Sequence, residues 1–94
     1  MAARRICRLL CRMDTSADLL LTAFATVLRR RRQGLGLSQE ELAHRAGKSI
    51  RYVSLLESRA HQPSLATLKG LADGLGISLS AFTAEIENEL VVRR

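Results

Sequence analysis

The stretch Gln39 to Ser58, QEELAHRAGKSIRYVSLLES, constrains the fold more than any other part of the chain. It predicts two short helices joined by a tight turn. Ser38 and Glu41 have the Ser-x-x-Glu spacing of a capping box, in which hydroxyl and carboxylate each satisfy an orphan backbone N–H at a helix start. That helix is expected from about Gln39 to Arg45. Gly47 would stop it, because glycine takes a positive φ without a Cβ penalty. Ser49 is placed to cap a second helix, Ile50 to Ser58. Leu42, Ala46, Val53 and Leu56 fall at spacings that face one another across the turn, and Ala43 is small where two helix axes would cross closely.

The flanking sequence supplies three more helices. Asp14, Thr15 and Ser16 are cap-type residues ahead of a helix expected from about Ala17 to Gln33, with Leu20, Phe24, Val27 and Leu28 as its buried stripe, continuing towards Leu35 and Leu37. Beyond the central stretch, His61, Gln62 and Pro63 read as a loop, and Ser64 caps a helix from Leu65 to Leu75. Leu65, Leu68, Leu71, Ala72 and Leu75 give it an apolar face. Gly70 and Gly74 each cost it about 1 kcal/mol relative to alanine, so it must lean on tertiary packing. Gly76 closes it. A last helix starts at Ser78 or Ser80 and carries Leu79, Phe82, Ile86 and Leu90 to about Val92. Phe82 is needed to finish the core, whereas Ile86 and Leu90 extend the apolar stripe past it. Phe82, Ile86 and Leu90 are therefore read as a dimer interface, two-fold association being the commonest oligomer. The competing reading folds this helix back onto the first one or onto the amino-terminal extension. The fold class is all-α, a five-helix domain over residues 17–94 preceded by a basic segment, residues 1–16.

Across these helices an ordered set of residues carries a family resemblance. Gln39, Leu42, Ala43, Gly47, Ser49, Tyr52, Val53, Ser54, Leu56 and Glu57 lie in the centre, with Leu28, Arg29, Arg32, Gly36, Leu37 and Ser38 before them. Pro63, Ser64, Leu68, Ala72, Leu75 and Gly76 follow. The pattern, spanning about Phe24 to Phe82, resembles the helix-turn-helix of the Xre/Cro family of DNA-binding regulators, which includes phage repressors. The resemblance implies a repressor-like domain that binds double-stranded DNA in a sequence-specific way, as a homodimer on a near-palindromic operator, to regulate transcription. It also implies a bacterial or phage-type protein of the cytoplasm, associated with the nucleoid. By the same resemblance Ser49, Ile50, Arg51, Ser54 and Leu55 would face base edges. Arg29, Arg32, Gln39, Tyr52 and Arg59 would contact the DNA backbone. Ile50 and Leu55 depart from the polar residues often found at those places, so contact with thymine methyl groups would replace hydrogen bonding. Arg31 and Lys48 stand where the family commonly has apolar residues. The rival reading is a protein-interaction or antitoxin-like module in which DNA binding is secondary.

Charge distribution agrees with a polyanionic partner. The chain of 94 residues carries a formal charge of +6, which by itself licenses only non-specific attraction. Arg29 to Arg32, Arg45, Lys48, Arg51 and Arg59 crowd the middle, whereas Lys69 is the only base between Ala60 and Val92, against Asp73, Glu85, Glu87 and Glu89. In the amino-terminal segment Arg4, Arg5, Arg8 and Arg12 would share one side of a helix, with Ile6, Leu9, Leu10 and Met13 on another. That segment reads first as a frayed or mobile extension, since chain ends order only when docked, ahead of a membrane-surface helix or a basic arm on DNA. Its apolar run is too short for a secretory signal, and no run of about twenty apolar residues marks a membrane span. Cys7 and Cys11 lack the further ligands that zinc needs and read as ordinary thiols. Nothing implies a cofactor, a small-molecule ligand or a catalytic constellation.

Overall fold

A computed structural model describes the backbone of residues 2–93 and the side chains of residues 17–92. Five helices follow one another: α1 Ala2–Gly34, α2 Gln39–Ala46, α3 Ile50–Glu57, α4 Leu65–Leu75 and α5 Leu79–Arg93. Four of the expected boundaries hold to within a residue or two. The first does not, because α1 runs without a break through Asp14, Thr15 and Ser16. Cap-type residues favour a helix start only where the preceding chain leaves the helix, and here it continues. The amphipathic pattern expected of residues 1–13 concerns side chains outside the described residues.

The core is aliphatic with two rings. Ala23, Phe24, Val27 and Leu28 of α1 meet Leu42 and Ala43 of α2, Val53 and Leu56 of α3, Leu71, Ala72 and Leu75 of α4, and Phe82 and Ile86 of α5. Phe24 and Phe82 join α1 to α5, their ring centroids 6.1 Å apart and tilted by 57°, an orientation aromatic pairs favour. Leu20, Leu35 and Leu65 were expected in the buried stripes but are 45%, 52% and 72% exposed. Each lies at the edge or end of a stripe.

Gly70 and Gly74 let α4 lie close against α2. A Cβ on Gly70 would stand 3.3 Å from the Ala46 carbonyl oxygen, and one on Gly74 would stand 3.3 Å from the Arg45 Cβ. The propensity lost in α4 is thus exchanged for backbone proximity, which dispersion between close-packed atoms rewards. α1 and α5 are also tied at the surface. Arg31 donates from Nε and Nη2 to Glu85 Oε2 at 2.8 and 2.6 Å, and Arg30 Nη1 reaches Glu89 Oε1 at 3.0 Å. Much of the acidic character of α5 is therefore turned inward on the basic end of α1.

That packing bears on the interface expected on α5. Phe82 is fully buried and Ile86 is 6% exposed within a single protomer. The return of α5 along α1 holds Phe82 in the core and leaves Ile86 only a small exposed edge. Leu90, half-buried, remains at the edge of this packing.

Candidate nucleic-acid interface

The turn between α2 and α3 is built from three backbone devices that the sequence announces. Ser38 Oγ accepts the Glu41 N–H at 3.0 Å while the Ser38 N–H donates to Glu41 Oε1 at 3.0 Å, closing the capping box. These bonds hold the exposed Glu41 carboxyl below its ordinary range. The Ser38 backbone N–H is the main cause, the Ser38 hydroxyl the next, and Arg45 adds a smaller attraction. Gly47 ends α2 in the left-handed region at φ 70°, ψ 31°, and Lys48 N–H returns to the Ala43 carbonyl at 2.8 Å. Ser49 Oγ then accepts the Tyr52 N–H at 3.1 Å and starts α3. Capped at its start and packed beneath by Val53 and Leu56, α3 has a fixed orientation relative to α2.

The outward side of α3 carries the residues expected to face base edges. Ser49, Ile50, Arg51 and Ser54 are exposed and Leu55 is half-buried. Ile50 stands 51% exposed, an apolar side chain left in water by the isolated protomer. Tyr52 is half-buried against the core. Its ring lies 6.0 Å from the His61 ring, and Lys48 Nζ sits 6.0 Å from its centroid.

The residues expected to contact the DNA backbone do not behave alike. Arg32 is turned inward: Nε donates to Glu57 Oε2 at 2.6 Å, Nη2 to Glu57 Oε1 at 3.0 Å, and Nη1 to the Leu37 carbonyl at 2.8 Å. With its side chain 13% exposed, Arg32, expected at phosphate, is engaged within the fold. A buried carboxylate needs a countercharge, and Arg32 gives it two bonds. Gln39 Nε2 donates to Glu57 Oε1 at 3.1 Å, bracing α2 against α3. Arg29 donates from Nη2 to the Glu57 carbonyl oxygen at 3.0 Å yet keeps its side chain 53% exposed. Arg59 adopts φ 67°, rare for a residue with a Cβ, and its Nη1 reaches Thr22 Oγ1 at 3.3 Å. Arg29 and Arg59 thereby border one small polar recess with Thr22, Thr26 and Ser58.

Glu57 is the residue whose role sequence reasoning missed. It is 3% exposed and joins α1, α2 and α3 through one carboxylate. A signal existed: Glu57 lies four residues after the buried Val53, on the inner side of the helix.

Sorting the cations by partner separates two groups. Arg29 to Arg32 all form ion pairs with Glu57, Glu85 or Glu89. Arg45, Lys48, Arg51 and Arg59, which surround α2 and α3, form no salt bridge among the described residues. Among those residues, too, no group of three or more His, Cys, Asp or Glu could hold a metal ion, and no helix is long and apolar enough to cross a membrane.

Two short capped helices set across a left-handed glycine, the second presenting an uncommitted outer side, define a helix-turn-helix protein. The helix-turn-helix family model matches residues 28–82, more than half the chain, and the protein belongs to that family in its Xre form. Over 49 residues the chain is 45% identical to an uncharacterized HTH-type transcriptional regulator, y4dJ, of Sinorhizobium fredii, a match covering 52% of this chain and 64% of that one. A second HTH-type regulator, from Methanothermobacter thermautotrophicus, is 41% identical over 51 residues, covering 54% and 74%. The matches therefore leave about a third and a quarter of those relatives' lengths unspanned. Among solved structures, the clp gene regulator ClgR from Corynebacterium glutamicum superposes with a TM-score of 0.73 at 27% identity, over 79% of each chain. The restriction-modification controller protein C.Esp1396I, as a tetramer in complex with its natural 35 base-pair operator, gives 0.72 at 25%, over 77% of this chain and 95% of that one.

Proposed function

We propose that the protein is a transcriptional regulator of the bacterial type that binds double-stranded DNA sequence-specifically as a homodimer in the cytoplasm, with α3 in the major groove. One observation carries this reading. Arg45, Lys48, Arg51 and Arg59 beside α2 and α3 form no salt bridge among the described residues, whereas the cations at the end of α1 are paired within the fold. Unpaired cations around a rigid, outward helix suit a ligand that supplies regularly spaced phosphates. The operator-bound state of C.Esp1396I and the regulator relatives support the same function.

In this reading α3 presents Ser49, Ile50, Arg51, Ser54 and Leu55 to base edges, and each subunit reads one half of a near-palindrome with half-site centres roughly 34 Å apart. Arg51 is suited to guanine, through two bonds to O6 and N7, and Ile50 to a thymine methyl group. Gln39, Tyr52 and Arg59 hold the backbone, joined by Arg29, whose side chain stays 53% exposed although it approaches Glu57 at 3.7 Å. Nothing in this arrangement calls for a cofactor or for catalysis. Selection of bound duplexes from a random pool, followed by anisotropy titrations at several salt concentrations, tests it. The expected result is an enriched two-fold motif whose affinity falls steeply with salt. Absence of any enriched motif, with binding to duplexes indifferent to salt, would overturn the reading.

A further inference from the structure

Away from α3, an apolar groove of about 580 Å³ opens between α1, α5 and the loop before α4. Ala17, Leu20, Phe24, Ala84, Ile86 and Leu90 contribute to its walls, and Leu20 is 45% exposed there. Glu87 lines its edge, and Asp18 is exposed next to Ala17. Neither acid has an ion-pair partner among the described residues, although Glu85 and Glu89 on the same helix are taken by Arg30 and Arg31. An apolar surface with the unpaired Glu87 in its lining calls for an occupant that is apolar on one side and basic on the other.

The chain contains such a segment. Residues 2–16 hold Ile6, Leu9, Leu10 and Met13 at helical spacing, interleaved with Arg4, Arg5, Arg8 and Arg12. They form the first half of α1, a helix about 22 Å long at 1.5 Å per residue, and they precede the start of the family match at residue 28. Their own groove is closed to them. α1 is continuous from Ala2 to Gly34, and Ala17, Leu20 and Phe24 belong to it. The first half therefore runs on past the groove and cannot turn back over it without breaking the helix.

We infer that the groove receives the amino-terminal half of α1 from a second copy, in a reciprocal exchange that makes the dimer. This names the interface of the homodimer proposed above and rests on that reading. A two-fold pairing of this kind is self-complementary, each protomer giving one helix half and one groove. It places the dimer contact on α1 and the groove between α1 and α5, with Leu90 in its wall, and leaves Phe82 to the core.

Sedimentation velocity on the full chain and three variants tests the inference. Leu10→Asp alters the occupant, Ala84→Trp fills the groove, and Glu87→Arg reverses the charge at its edge. Circular dichroism checks folding, and anisotropy with a selected operator and with a single half-site checks DNA binding. The parent should be a dimer at micromolar concentration, and each variant should raise the dimer Kd at least tenfold while still binding the half-site as a folded monomer. Should Ala84→Trp fail to fold, Leu10→Asp and Glu87→Arg decide the matter. Dimerisation of Leu10→Asp and Glu87→Arg equal to the parent's overturns the exchange and leaves the DNA reading intact, whereas a monomeric parent overturns both the exchange and the homodimer of that reading and leaves DNA binding itself standing. Monomeric variants of a parent that binds no duplex would instead sink the DNA reading alone.

Discussion

Arg32 and Glu57 meet side on, two guanidinium nitrogens to two carboxylate oxygens at 2.6 and 3.0 Å, with the Glu57 side chain 2% exposed. The pair connects the end of α1 to the end of α3, and Gln39 adds α2 to the same carboxylate. A buried pair of this kind gives little net stability over an apolar substitute, but loss of one partner strands the other. Glu57→Ala is therefore expected to cost about 3 to 5 kcal/mol, and Glu57→Gln less, since the amide still accepts a bond. Urea midpoints of the two variants check the order. A Glu57→Ala midpoint equal to the parent's would mean that Arg32 and Gln39 find water in its place.

Gly47 holds φ 70° with open space around the missing Cβ. Any penalty there belongs to the backbone alone. Gly47→Val is expected to lose about 1 to 3 kcal/mol, because a β-branched residue is disfavoured at positive φ. Gly47→Asn should lose less, since asparagine tolerates the left-handed region. Thermal melts of the two variants give the comparison, and equal melting temperatures would contradict this account.

The local devices were legible in the sequence because each acts over a few residues. Ser38 with Glu41, Gly47, Ser49 and Ser64 all take their expected places, and so do the apolar positions that meet at the centre. Features that depend on which helix lies beside which were less visible. Gly70 and Gly74 read as costs until α2 is seen against them. The inward bonds of Arg32 to Glu57 and the burial of Phe82 by the return of α5 along α1 likewise have no short-range signature. Leu20 and Leu65 fit the periodicity yet face solvent, since a stripe does not reveal where the neighbouring helix ends.

The capping box makes a small part of the stability depend on pH. Glu41 titrates below its ordinary range in the folded protein, chiefly through the Ser38 N–H and then the Ser38 hydroxyl. Its contribution is complete above the unfolded carboxylate pKa and is lost as pH falls through the lowered folded value. Ser38→Ala removes the hydroxyl and keeps the N–H, so the Glu41 carboxyl should titrate part of the way back towards its ordinary range. Carbon-detected NMR titration of that carboxyl measures it. An unmoved titration curve would show that the hydroxyl contributes nothing.

Arg51 and Arg59 are both exposed cations near α3, and their substitutions should have opposite signatures. Arg51 sits in the first turn of α3 with no salt bridge among the described residues, and the proposed function assigns it to a base. A bidentate contact with guanine is worth about 1 to 3 kcal/mol of discrimination, while a phosphate contact carries no direct sequence information. Arg51→Ala is therefore expected to weaken the selected operator and relax preference at one base pair per half-site, with random duplexes much less affected. Arg59 holds φ 67°, where glycine would be unstrained. Arg59→Gly should raise the melting temperature slightly, lower affinity for every duplex by a similar factor, and reduce the salt slope by about one unit per site lost. Anisotropy titrations with operator and random duplexes at three salt concentrations separate the two. If Arg51→Ala lowers both affinities equally, Arg51 is a backbone contact, and specificity must reside in Ile50, Ser54 and Leu55.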